Sequence, residues 1–106
     1  MRQEYNKLVR DRIPNLIEES GSQCHTVQLS EAEYHQALRD KLLEEATEAA
    51  TASPEELASE LADLLDVIDA LMETTGVSQE SILLERDQKR ATKGGFTKQI
   101  KLLWVE

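Results

Sequence analysis

The chain has 106 residues, 40% hydrophobic and 31% charged, with a formal net charge of −9, the signature of one globular domain spanning 1–106 whose core is large enough to fold but thin. The acidic balance argues against a nucleic-acid polymer or an anionic membrane as partner. The sequence carries neither a long apolar run nor a charged-then-apolar leader, so the protein is expected to be cytoplasmic. Its one cysteine, Cys24, excludes an internal disulfide, and with only His25 beside it falls short of the roughly four ligands of a zinc site, so both read as structural.

In chain order, YNKLVRDRIPNLIEESG opens as an extended stretch and turns into a short helix from about Ile13 to Ser20, because Pro14 suits a first helical turn and Gly21 ends it. The segment CHTVQLS alternates and carries β-branched residues, which predicts a short strand paired with residues near Leu8 and Val9. Ser30 to Glu33 is a capping box, and the helix it opens runs to about Ala52 without Gly or Pro. The motif S-P-E-E at Ser53 to Glu56 supplies a second cap and a proline for the first turn, so another helix is predicted from Pro54 to Thr74 or Thr75, with Gly76 beyond it. Two long helices joined so tightly must form an αα-hairpin. Ser78 caps a last helix ending at Gly94-Gly95, and the tail FTKQIKLLWVE reads as extended or irregular. The fold class is therefore all-α, an antiparallel bundle built on a central hairpin.

Charge along the chain is uneven. Leu42 to Glu85 contains twelve acidic residues and no Lys or Arg, whereas Arg86 to Lys101 holds six of the twelve basic ones. An acidic block followed by a basic one can hold a cation and the anion that the cation binds.

At about 100° per residue, Glu45 and Glu48 lie within roughly 60° of the line carrying Tyr34, Leu38, Lys41, Leu42, Ala49 and Ala52. On the second helix Leu57, Leu61, Leu64, Leu65, Ile68, Leu71 and Met72 make the main apolar stripe. Glu60 and Asp63 lie on another line, which becomes apolar at Val67 and Ala70. Each acidic pair is spaced i, i+3, on one patch of helix surface, and the short turn brings both pairs to similar height. A single such pair is ordinarily a solvated face. Four carboxylates converging on half-buried ground repel and need compensation, and a hard divalent cation, Mg²⁺ or Mn²⁺, suits oxygen ligands in a hairpin without His or Cys. Glu55, Glu56, Asp66, Asp69 and Glu73 read as capping or solvent-facing residues.

These residues resemble a known pattern. Glu44-Glu45-Ala-Thr-Glu48 followed by Glu60-Leu-Ala-Asp63 is similar to the E-E-x-x-E … E-x-x-D signature of the all-α nucleoside triphosphate pyrophosphohydrolases, the MazG-like and phosphoribosyl-ATP pyrophosphohydrolase-like superfamily. NKLVRDRIP and KRATKGGF resemble the flanks of a small single-domain MazG-like group. The resemblance implies a helical homodimer or homotetramer that uses Mg²⁺ to cleave a nucleoside triphosphate between its α and β phosphates. It implies metal ligation by Glu45, Glu48, Glu60 and Asp63, with Glu44 a partner ligand or water-orienting base that points about 100° away from Glu45.

Phosphoryl transfer depends on positioning and charge neutralisation, so cations are needed beside the carboxylates. Arg86, Arg90 and Lys93 fall at i, i+4 and i+7 with Lys89 adjacent, and Lys41 lies one turn before Glu45, where it can pair with a carboxylate or reach a phosphate. Lys93 stands where that family commonly has arginine, keeping the charge without the bidentate fork. Lys7, Arg10 and Arg12 are either further substrate contacts or structural ion pairs, while Phe96 and Trp104 read as core or interface anchors. Two alternatives remain open: a phosphoribosyl-ATP pyrophosphohydrolase, which the flanks disfavour, and a non-catalytic module that binds through its acidic face.

Overall fold

The structure, a computed structural model, describes residues 2–106. It contains the helices α1 (Ile13–Glu19), α2 (Glu31–Thr51), α3 (Leu57–Thr75) and α4 (Gln79–Lys93). No strand occurs among the described residues, so the chain is all-α. None of these helices is long and apolar enough to cross a membrane. The chain divides into two compact units, Met1–Thr75 and Gly76–Glu106.

In the first unit α2 and α3 pack against one another as a hairpin closed by the connection 52–56. The capping box at the start of α2 forms as the sequence predicts. Ser30 Oγ accepts from the Glu33 amide at 3.2 Å, and the Ser30 amide donates to Glu33 Oε1 at 3.0 Å. The bond from the Ser30 backbone is the main reason the Glu33 carboxyl is held below its ordinary range. A carboxylate so depressed adds stability above its unfolded pKa and loses it as pH falls through the folded value. Ser30→Ala removes the hydroxyl that accepts from the Glu33 amide and should destabilise the protein by about 1 kcal/mol. The backbone amide that holds Glu33 remains in the variant, so most of the acid sensitivity from Glu33 should persist in it, as chemical denaturation at neutral and acid pH can check.

The structure corrects two expectations. The residues of CHTVQLS are irregular, with Val27 exposed, because a lone two-strand pairing is marginal without an apolar face to cover it. The third helix begins at Leu57 rather than Pro54. Pro54–Glu56 form a turn in which the Ser53 carbonyl accepts from the amides of Glu56 and Leu57, both at 3.0 Å. The start of that helix is thus wound by the Ser53 backbone, and its hydroxyl makes no capping bond among the described residues. After Thr75 the chain leaves the helix through Gly76, whose φ of 75° is open to a residue without Cβ.

Burial is confined to the face between the helices. Leu38 on α2 and Val67 on α3 are the buried apolar side chains among the described residues, and Glu45 is buried with them at 6% exposure. Tyr34, Leu42, Leu64, Ile68, Leu71 and Met72 are half-buried, as are Glu60, Asp63 and Ala70. The inward side of α3 therefore carries Glu60, Asp63, Val67 and Ala70 together with Leu64, Ile68, Leu71 and Met72 of the expected stripe. The leucines expected to dominate, Leu57, Leu61 and Leu65, are exposed.

In the second unit, Ser78 caps α4 by accepting from the Ser81 amide, and Gly94 ends it with φ 82°. The tail beyond it is irregular, and Phe96, Ile100, Leu102, Leu103, Trp104 and Val105 are exposed. Phe96 and Trp104, expected to be core or interface anchors, are not core residues here.

Candidate metal centre

The line of α3 that faces inward carries acids at its first two positions, and α2 meets it with Glu45. Oxygens of Glu45, Glu60 and Asp63 come within 4.8 Å of one another. Glu45 Oε2 and Glu60 Oε2 are buried without a hydrogen-bond partner. Burial of this kind costs several kcal/mol for an unpaired charge, at roughly 1–3 kcal/mol even for a neutral group, and native folds rarely leave it uncompensated.

One cation offsets part of it. Lys41 Nζ lies 3.3 Å from Glu45 Oε1 and 3.3 Å from Glu44 Oε2, the carboxylate pairing that its place one turn before Glu45 allows. The remainder raises the affinity of Glu45 for a proton. Loss of hydration pushes its carboxyl above the ordinary value, Lys41 pulls it back, and the charges of Glu48 and Asp63 push it further up. A proton or a cation at this point would relieve the same strain.

The other predicted ligands fall as follows. Glu48 is exposed and stands outside the three-residue cluster, although it is near enough for its charge to act on Glu45. Glu44 is held from two sides, with Lys7 Nζ 2.9 Å from Oε1 and Lys41 on Oε2. Its hydrogen bond to Lys7 is the largest of the influences that place its carboxyl below the ordinary range, which makes it a weak base.

Of the basic residues on α4, Arg86 pairs with Asp87 at 3.1 Å. Lys89, Arg90 and Lys93 have no carboxylate within ion-pair distance among the described residues. Together with Arg86 they line an open groove of about 1170 Å³ in the second unit, with Ile82 and Phe96 on its wall.

From sequence alone Asp66 reads as a capping or solvent-facing residue, and Arg10 as either a substrate contact or a structural ion pair. In the structure Arg10 bridges Asp63 and Asp66, with Nη2 2.8 Å from Asp63 Oδ1 and Nη1 2.6 Å from Asp66 Oδ2. The available signal was the i, i+3 spacing of the two aspartates, but nothing local links Arg10 to residues more than fifty positions away.

The donor set suits a hard divalent cation: carboxylate oxygens from two helices, two of them buried and unpartnered, with no soft ligand in the group.

Residues 3–90 match the family of phosphoribosyl-ATP pyrophosphohydrolases. The chain belongs to that family. It is accordingly a pyrophosphohydrolase of the MazG-like all-α superfamily, a hydrolase that acts on phosphoric anhydrides and takes a nucleotide substrate. The matched stretch contains the carboxylate cluster and reaches into α4 as far as Arg90. No curated protein and no solved structure matches the chain.

Proposed function

We propose that the protein hydrolyses a nucleoside triphosphate between its α and β phosphates, releasing the monophosphate and pyrophosphate, with Mg²⁺ held by Glu45, Glu60 and Asp63 and completed by Glu48. Nucleotide-pool sanitation or turnover in the cytoplasm is the corresponding role. The observation that carries this reading is the convergence of three carboxylates with two buried oxygens left unpartnered. When bound, Mg²⁺ would neutralise phosphate charge and acidify a nearby water.

The chain's own residues do the rest. Lys41 offsets the charge of Glu44 and Glu45, so that the acids of α2 can stand together. Of the two adjacent glutamates, Glu45 is assigned to the metal, and Glu44, held by Lys7 and Lys41, to positioning the attacking water. Arg86, Lys89, Arg90 and Lys93 are assigned to substrate phosphates, where Arg supplies a fork and Lys a point charge. A homodimer or homotetramer is expected, since Leu57, Leu61 and Leu65 on α3 and Leu43 on α2 are exposed around a core of two buried apolar residues.

The family match favours a second substrate, phosphoribosyl-ATP itself. A panel of canonical and damaged nucleoside triphosphates together with phosphoribosyl-ATP separates the two, with pyrophosphate release measured in Mg²⁺ and in EDTA. Release should require metal, and Asp63→Asn should lower it by more than about 100-fold. Glu48→Gln should also lower it strongly if Glu48 completes the ligand set. A folded, metal-replete protein that cleaves nothing in the panel would overturn the proposal.

A further inference from the structure

The N-terminal segment reaches both helices of the hairpin from residues only three positions apart. Asn6 adopts a left-handed conformation, φ 47°, just before Lys7. Leu8, between the two contacts, is half-buried. Lys7 then pairs with Glu44 on α2, and Arg10 divides its guanidinium between Asp63 and Asp66 on α3.

Exposed ion pairs of this kind contribute little to stability, with a median of about 0–1 kcal/mol. Their geometry is more informative. A planar guanidinium spread over two carboxylates one turn apart restricts the rotation of both. It engages Oδ1 of Asp63 and leaves Oδ2 outside that bond. On the opposite helix Lys7 holds Oε1 of Glu44, Glu44 holds Lys41 through Oε2, and Lys41 holds Oε1 of Glu45. The oxygen left over on Glu45 is Oε2, one of the two buried and unpartnered atoms. Each arm thus binds one oxygen of a cluster carboxylate and leaves the other.

We propose that Arg10 and Lys7 are positioning residues for the carboxylate centre: Arg10 orients Asp63 on α3, and Lys7, acting through Glu44 and Lys41, orients Glu45 on α2. The inference rests on the reading of Glu45, Glu60 and Asp63 as a metal centre. Loss of a group that orients a ligand weakens metal binding without removing a ligand. The effect of Arg10 should exceed that of Lys7, because Arg10 touches a cluster residue directly.

The test is a calorimetric titration of Mn²⁺ into the metal-free protein, for wild type, Arg10→Ala, Arg10→Lys, Lys7→Ala and Asp63→Asn. Arg12→Ala serves as a control that removes the same charge from a neighbouring arginine with no ion pair among the described residues. Arg10→Ala should bind about 10-fold to 100-fold more weakly. Arg10→Lys should fall between it and wild type, Lys7→Ala should lose less, and Arg12→Ala should match wild type. The metal-free melting temperature of Arg10→Ala should stay within about 5 °C of wild type.

Unchanged Mn²⁺ affinity in Arg10→Ala and Arg10→Lys overturns the inference, and so does an equal loss in Arg12→Ala. A rise in KM for the triphosphate with Mn²⁺ affinity intact would make Arg10 a substrate contact instead. If wild type binds Mn²⁺ no more tightly than Asp63→Asn, the metal-centre reading itself fails, a result distinct from the others.

Discussion

Glu45→Gln is expected to abolish metal-dependent pyrophosphate release and, at neutral pH, to make the metal-free protein more stable than wild type. Both effects come from one carboxylate. Glu45 is buried at 6% exposure beside Glu60 and Asp63, and its Oε2 has no partner. Its folded pKa is raised, first by lost hydration. For an acid the sign is unambiguous: the folded state favours the proton, so stability falls as pH rises from the ordinary carboxylate value through the raised one. Above the raised value the charged form carries the full penalty. A neutral amide removes the charge and brings donors for the neighbouring oxygens, which should recover about 1 kcal/mol, or about 4–8 °C in a domain of this size.

The advantage should vanish when pH is lowered into the ordinary carboxylate range, where wild type is protonated as well. Mg²⁺ should reverse the order. At 100 times its Kd a ligand that binds only the native state adds about 2.7 kcal/mol, which wild type would gain and Glu45→Gln would not. Thermal melts across pH, with and without Mg²⁺, read all three expectations. A variant that melts lower than wild type at neutral pH, with no Mg²⁺ response in wild type beyond that to monovalent salt, would mean that the cluster is a structural arrangement of acids.

Leu38→Ala should be the most destabilising single change in the hairpin. Leu38, at 3% exposure, and Val67, at 7%, are the buried apolar side chains among the described residues. Removing a buried leucine leaves a cavity as well as losing transfer energy, about 2–5 kcal/mol together. Small domains have about 5–15 kcal/mol in all, so the loss is a large part of what holds α2 on α3. Because that packing also brings Glu45 to Glu60 and Asp63, metal affinity should fall with stability. Leu43→Ala on the same helix, at 70% exposure, provides the contrast and should cost the isolated chain little. Denaturant midpoints for the two variants decide the point; equal losses would show that the core is not where the burial puts it.

Local physics made the helices legible from sequence alone. Ser30 and Glu33 satisfy each other's backbone amides within four residues, Ser78 caps α4, and Gly76 and Gly94 end their helices with positive φ. Capping is local, so a linear string records it. The i, i+3 spacing of Glu60 and Asp63, and the place of Glu45 on the line of Leu38, were equally readable, because helical geometry alone puts them on their faces.

Tertiary structure decided the rest. That α3 leaves Leu57, Leu61 and Leu65 exposed while Glu60, Asp63 and Val67 turn inward beside Leu64 and Ile68 depends on which rotation packs best against the other helix. Periodicity marks the apolar side of one helix but does not know its neighbour. The same limit applies to CHTVQLS, where local alternation suggested a strand that had no partner to bond. It applies most strongly to Lys7 and Arg10, whose charges were plain in the sequence. Their partners lie up to 56 residues away along the chain, and ion pairing is set by distance in space, which only the folded hairpin supplies.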